Sequence, residues 1–434
     1  MDLSPDAVAV IGFVVLFVLM LLRVPVGMAM GLVGVSGFSY LVGGMPALKM
    51  VGQTSMRIVT DYTFGVIPMF LLMGAFVSRS GMSRELFQAA NTFVGHLRGG
   101  LGIATIAACA GFAAISGSSV ATAATFSSVA YPEMRRFAYP QSFATGVIAA
   151  GGTLGAMFPP SIVLAVYGLI TQQDIGKLFM AGVLPGLLAV TMYMATIAVI
   201  GRVRPRFLPA APASSWAARR RAARDVWAPL ALFVFVIGGL YGGLFTPTEA
   251  GGMGASGAFL LSLARGRLSR ADVLASLLQA TRTAAAVFTV LIGAILFGYF
   301  LTVTQAPQKL TAFITDLGLG RYGVLALIMT MYLALGCLMD AMAMIILTVP
   351  IIFPVITTLG FDPIWFGVII VMTVELGLIH PPVGMNVFVI KTVVQEVSFA
   401  TIFAGVIPFV LTDITRLVVL IAFPVIATWL PGRM

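Results

Sequence analysis

The chain has 434 residues, of which 60% are apolar and only 9% charged, and its mean hydropathy is +1.06. A soluble domain carries about a quarter charged residues, so this sequence cannot cover itself with polar surface in water. Its net charge of +10 sits in gaps between apolar runs, which excludes the solvated basic face that nucleic acid requires.

Uncharged stretches of about 18 residues or more recur along the length, enough to cross a bilayer as helices. Residues 7–22 form a first span, with Asp2 and Asp6 before it and Arg23 and Pro25 after it. A cleaved signal peptide carries its positive charge first, so this run is a retained helix. Residues 26–45 form a second span, Lys49 to Asp61 an interfacial interval, and Thr63 to Val77 a third span. Residues 81–98, with Arg84, Glu85, Gln88, His96 and Arg98, are too polar to cross and read as a helix on the membrane surface. From Gly99 to Pro132 no residue is charged; this run fits one tilted span, two short ones or a re-entrant hairpin. Residues 139–170 are apolar but broken at Pro159-Pro160, and 178–201 make a further span.

Arg202 to Arg224 reads as a loop, with seven arginines and Pro205, Pro209 and Pro212. Two spans follow, 226–245 and 248–264, and then Arg265, Arg267, Arg270 and Arg282. Arginine-rich loops stay in the cytoplasm, and two intervening spans return the chain to the same side, as that rule demands. Carried outward, the rule sets Arg79, Arg84, Arg98, Arg135, Arg136 and Lys391 inside, and Lys49, Arg57, Lys177, Lys309 and Arg321 outside. The two cysteines, Cys109 and Cys337, lie in apolar runs and cannot build a disulfide framework or a four-cysteine metal site.

Features recur in order. Gly155 to Pro160 (GAMFPP) matches Gly377 to Pro382 (GLIHPP) at an offset of 222 residues, and Gly182-Val-Leu-Pro185 matches Gly405-Val-Ile-Pro408 at 223. The implied organisation is scaffold helices over 1–60 and a first repeat over 61–201, with a hairpin at 101–132 and a broken helix at 139–170. A basic loop and two linking spans fill 202–282. The second repeat covers 283–434, with a polar helix at 307–321, a hairpin at 322–361, a broken helix at 364–395 and a C-terminal span. The first repeat starts outside at Asp61 and the second inside at Arg282, so the two are inverted. Inverted repeats with broken helices characterise secondary transporters, with binding near the midplane.

A proline pair inside an apolar stretch frees carbonyls, and hydrocarbon cannot solvate them. Either the break is a structural kink, or the carbonyls hold a hard cation such as Na⁺ while the next half-helix start attracts an anion. Ser116, Gly117, Ser118 and Ser119, with Thr122 and Thr125, centre the first uncharged run; they suit a hairpin tip or close helix packing. Asp340 lies midway between Arg321 and Asp362. In a hairpin it falls at the midplane, where a carboxylate is functional by default; in two full spans it falls in a loop. Glu375 fits a ligand, a proton carrier or a packing partner equally, and Asp413 and Arg416 sit one helical turn apart, placed to neutralise each other.

The stretches FAAISGSSVATAAT (Phe112 to Thr125), GTLGAMFPPSIVLAVY (Gly152 to Tyr167), GCLMD, FDPIWFGVI and GLIHPPVGMN resemble the large membrane subunit of tripartite ATP-independent periplasmic (TRAP) transporters. The resemblance implies an elevator-type subunit in a bacterial inner membrane, with two re-entrant hairpins meeting two broken helices. It implies one Na⁺ site at Ser116, Gly117, Ser118 and Ser119 with Gly155, Phe158 and Pro160. A second would use Gly336, Gly377, His380 and Val383 near Asp340. The substrate is expected at Ser118, Ser119, Pro159, Ser161, Pro381 and Asn386. The family usually has threonine where this chain has His380, a change that a carbonyl ligand survives and a hydroxyl ligand does not. A small four-helix membrane subunit, a periplasmic binding protein and a small organic acid such as a C4-dicarboxylate are the implied partners, with no cofactor beyond the coupling ion. No Gly-x-x-x-x-Gly-Lys-Ser/Thr loop occurs, and no metal-ligand or nucleophile–base spacing suggests an enzyme. The alternative is a Na⁺/carboxylate symporter or anion transporter that works without a binding protein.

Overall fold

The computed structural model describes residues 3–205, 207–210, 212–316, 318–336 and 339–434. Asp2, Arg206, Cys337 and Leu338, all used in reading the sequence, lie outside these residues. Every regular element among the described residues is helical. Among the described residues six helical stretches, one of them Gln141–Thr171 with its internal break, are long and apolar enough to cross a membrane, and five more helices are apolar over 10–17 residues. The protein is an all-α polytopic membrane protein.

The chain opens with α1 (Pro5–Leu21), α2 (Val26–Val42) and the amphipathic α3 (Gly44–Thr60). Ser4 starts α1 by accepting from Ala7 N–H at 3.3 Å, with Pro5 at the first helical position. Next come α4 (Val66–Arg79), α5 (Met82–Val94), α6 (Gly100–Ser116), α7 (Ser119–Arg136), α8 (Gln141–Met157), α9 (Ile162–Thr171) and α10 (Ile175–Val203). The connecting helices are α11 (Trp216–Asp225), α12 (Trp227–Tyr241) and α13 (Pro247–Ala264). The order then repeats with α14 (Arg270–Thr304), α15 (Ala306–Asp316), α16 (Arg321–Gly336), α17 (Ala341–Thr358), α18 (Pro363–Gly377), α19 (Met385–Val393) and α20 (Phe399–Ala422), before the short α21 (Val425–Thr428).

Both basic stretches are less loop-like than their charge suggests. Within 202–224, α11 forms because Ser215 caps it (Ala218 N–H to Oγ, 3.2 Å) and the Ala-Ala-Arg-Arg-Arg-Ala-Ala run favours helix; α11 then packs on α5. Within 265–282, a reciprocal capping box of Ser269 and Asp272 starts α14 at Arg270. Its 35 residues run unbroken for about 52 Å at 1.5 Å per residue, well beyond the roughly 30 Å of a hydrocarbon core.

Packing repeats when the halves are exchanged. The pair α6 and α7 lies on α8, and the pair α16 and α17 on α18. The returning arms also cross over, α7 against α19 and α17 against α9, while α8 packs on α20 and α10 on α18. Lipid gives helices no hydrophobic reason to associate, so close backbone approach must supply the attraction. Glycine permits it at two seams. A Cβ added to Gly293 of α14 would lie 1.9 Å from the Gly27 carbonyl oxygen of α2, and one added to Gly405 of α20 would lie 1.8 Å from that of Ser142 in α8.

Gly405→Val forces two backbones apart and is expected to destabilise by about 1–3 kcal/mol. Gly298→Ala, where the added carbon meets nothing within 4 Å, should be neutral or stabilising by up to about 1 kcal/mol. Thermal unfolding of the detergent-solubilised protein reads both; equal melting temperatures would refute the close-approach account.

Candidate functional site

The first uncharged run folds as two helices joined at Gly117-Ser118. Gly117 closes α6 in the left-handed region (φ +61°), and Ser118 starts α7 by accepting from Ala121 N–H at 3.3 Å. This turn sits directly on the break between α8 and α9. A Cβ on Gly117 would lie 2.1 Å from the Pro160 carbonyl oxygen, and one on Gly155 would lie 2.4 Å from that of Ser118. Glycine at both positions lets the Pro160 and Ser118 main-chain oxygens each lie against the facing backbone. The break itself, Phe158 to Ser161, is buried. Ser161 caps α9 (Leu164 N–H to Oγ, 3.1 Å) and donates to the Ala156 carbonyl at 2.5 Å.

The second half repeats the plan. Asp340 starts α17 by accepting from the N–H groups of Met342 and Ala343 at 3.0 and 3.2 Å. It stands 222 positions after Ser118, the offset that relates Gly155 to Gly377. Gly336 meets Gly377 so closely that a Cβ on either would lie 2.8 Å from the other's Cα. Between α18 and α19 the His380 N–H returns to the Leu376 carbonyl (3.1 Å), and Gly384 turns the chain at φ +59°. His380 Nδ1 lies 2.5 Å from the Pro381 carbonyl oxygen. The two breaks differ in one respect: Pro159 and Pro160 are buried, whereas Pro381 and Pro382 are exposed.

Gly117, Ser118, Ser119 and Asp340 line one cavity of about 130 Å³, closed by Leu71 of α4, Thr283 and Val287 of α14 and Met385 of α19. Thus the cap of one returning arm faces the cap of the other. Of the remaining candidate residues, Ser116 is buried with its hydroxyl 3.4 Å from that of Thr122. The Phe158 ring lies beside Gly186, and Val383 is half-buried. Pro159, Ser161, Pro381 and Asn386 do not line the cavity. Asn386 is fully buried on Gly152, and neither amide atom has a hydrogen-bond partner.

Glu375, left open between three roles in the sequence, links the repeats. It is 1% exposed and accepts from the Ser119 hydroxyl at 3.2 Å, while its other oxygen has no partner. Sequence reasoning missed its equivalent. Thr153, 222 positions earlier, stands 3.1 Å from the Tyr193 hydroxyl. Tyr193 donates in turn to Asp413 at 2.7 Å, and Asp413 pairs with Arg416 at 2.9 Å. The Asp413–Arg416 spacing was legible one turn apart, but Tyr193, 220 positions away, carries no local sign of that role.

The family model for the DctM component of tripartite ATP-independent periplasmic transporters matches residues 13–426. The C4-dicarboxylate TRAP transporter large permease protein DctM of Pseudomonas aeruginosa is 40% identical over 375 residues, 86% of this chain and 85% of the relative. Its counterpart of the same description in Rhodobacter capsulatus is 35% identical over 443 residues, 98% of this chain and 99% of the relative. Among solved structures, the Alcanivorax borkumensis YdaH transporter superposes with a TM-score of 0.61 at 15% identity, over 89% of each chain, a likeness of fold alone. The chain belongs to the DctM component family of TRAP transporters and is a transporter permease.

Glu375→Ala removes the acceptor for a buried hydroxyl and is expected to cost about 1–3 kcal/mol, whereas Glu375→Gln, which keeps an acceptor, should cost under about 1 kcal/mol. Melting temperatures of the two variants give the comparison, and a Gln variant as damaged as the Ala variant would remove the Ser119 contact from the account.

Proposed function

We propose that this TRAP permease is the transport-carrying subunit of a Na⁺-coupled importer of small organic acids, in a bacterial inner membrane. The observation that carries this reading is the shared cavity. Two helix starts, capped by Ser118 and Asp340 at equivalent positions of the two halves, face each other across about 130 Å³. Helix N-termini favour an anion. A cation beside Asp340 would offset the cost of a carboxylate at membrane depth. Main-chain oxygens of Ser118 and Pro160 crowd the first tip, and Gly336, Gly377, His380 and Val383 surround the second break; both are proposed as Na⁺ sites built largely from carbonyls. The transported acid would lie between the tips, touching Ser118 and Ser119. Pro159, Ser161, Pro381 and Asn386 lie outside the lining of that cavity.

The inward Na⁺ gradient and the membrane potential, worth about 2.3 kcal/mol per charge per 100 mV, would drive uptake. In this reading the two halves are inverted repeats whose hairpins and broken helices move together as an elevator, with α5 and α15 as arms to the scaffold. A small membrane subunit and a periplasmic binding protein complete the machine, and C4-dicarboxylates, named for both relatives above, are the substrates to try first.

Reconstitution with a small subunit and a binding protein, followed by uptake of labelled organic acids with and without a Na⁺ gradient, tests the whole reading. Uptake that needs both the gradient and the binding protein supports it; equal uptake without the binding protein points to a stand-alone symporter. In the same assay Asp340→Asn should cut Na⁺-dependent uptake by at least about tenfold, the loss of one charge-assisted contact. Unchanged uptake would strike Asp340 from the mechanism. Ser118→Ala with Ser119→Ala should weaken transport modestly and the paired Trp substitutions should abolish it, because bulk fills the cavity while main-chain oxygens persist.

A further inference from the structure

A second, larger cavity lies further along the seam that holds the first. From Ser118, α7 runs on to Thr125 and Ser128; from Leu71, α4 runs on to Ser78 and Arg79. Each seven-residue step advances about 10 Å. There the helices open a polar pocket of about 350 Å³, lined also by Ser83 and Arg84 of α5 and by Arg267 between α13 and α14. The arginine-based orientation puts this end of the seam in the cytoplasm.

The lining is electropositive. Its one carboxylate among the described residues, Glu85, is held by both terminal nitrogens of Arg265 at 2.9 and 2.8 Å, so its charge is matched before Arg79, Arg84 and Arg267 are counted. Arg79 leans on the neutral Gln279 side chain at 3.3 Å and feels the Asp272 carboxylate outside the pocket, and Arg267 stands 3.6 Å from the already paired Glu85. Guanidinium groups beside the hydroxyls of Ser83 and Thr125 present the donors a carboxylate takes in pairs, while the Ser128 hydroxyl donates to the Thr125 carbonyl at 2.7 Å. Solvent reaches this site and weakens each contact. A point of departure requires that weakness.

We infer that this pocket is a second, low-affinity anion site, where the carboxylates of the transported acid pause between the hairpin tips and the cytoplasm. The inference rests on the import function proposed above, and it assigns Arg79, Arg84 and Arg267 to substrate release. A phospholipid phosphate would satisfy the same donors.

Two measurements on the full chain with its partners separate these outcomes. In Na⁺-free buffer and neutral detergent, succinate should stabilise the purified protein against thermal unfolding. The R79Q/R84Q/R267Q variant should need about tenfold more succinate, the loss expected of a charge-assisted contact. R79K/R84K/R267K, which keeps the charge but not the paired donors, should need less succinate than the Gln variant, which separates charge from folding, and R136Q, an exposed arginine outside the pocket, should change nothing. In vesicles of phosphatidylcholine alone, release of preloaded labelled succinate should saturate at about tenfold higher internal concentration in the Gln variant. Identical succinate dependence in wild type and Gln variant would overturn the inference. So would a wild-type effect that appears only when phosphatidylglycerol is present, which would make the pocket a headgroup site. A wild type that binds succinate through these arginines yet transports no organic acid would instead count against the import function and leave the site standing.

Discussion

A main-chain carbonyl inside hydrocarbon has no water to turn to, and an unpaired one costs several kcal/mol. This protein interrupts its helices twice where that cost applies, between α8 and α9 and between α18 and α19, and the rest of the architecture follows from covering those interruptions. At the first, the turn at Gly117-Ser118 lies on the open backbone, and Ser161 takes the Ala156 carbonyl. The cover comes from the same half of the chain, but its returning arm leans on the other half, α7 on α19 and α17 on α9. Neither half alone would bury both its break and the arm that seals it. The interlocking of the two halves is therefore an answer to a solvation problem.

Buried polar side chains tie the halves together at defined positions. Ser119 to Glu375 and Tyr193 to Asp413 are separated by 256 and 220 residues in sequence, and these two pairings exist only when the halves are in register; Thr153 joins Tyr193 from within the first half. Removing charges from water is costly, and a buried pair such as Asp413–Arg416 adds little net stability over apolar side chains of the same size. Its worth here lies in geometry: a slip of one helical turn would carry the intrahelical pair away from the Tyr193 hydroxyl that holds it to α10.

Much of this was legible in the sequence, because the strongest signals are covalent. Proline pairs in apolar runs mark where hydrogen bonding must fail, and the offset of 222 between them also relates Ser118 to Asp340 and Thr153 to Glu375. The capping roles of Ser118 and Asp340 needed the backbone, since a serine in an uncharged run fits helix packing as well as a helix start. In α11, charge masked structure: seven arginines across 202–224 read as a loop, though alanine and arginine both favour helix. The joining of α14 to its basic lead-in was hidden similarly, because a polar first turn with a capping box ends no helix. Tyr193 was out of reach for a different reason. A tyrosine in an apolar span looks the same whether it fills space or finds a carboxylate 220 positions away.

The seams between α2 and α14 and between α8 and α20 are made of backbone lying on backbone at Gly293 and Gly405, and that has an evolutionary edge. An added side chain at either glycine would meet main chain, so these joints tolerate little substitution, while the cavity and pocket along α7 are walled by hydroxyls, thioethers and guanidinium groups that single substitutions can reshape. Substitutions along that wall can reshape the cavity and the pocket without disturbing the backbone joints that hold the helices.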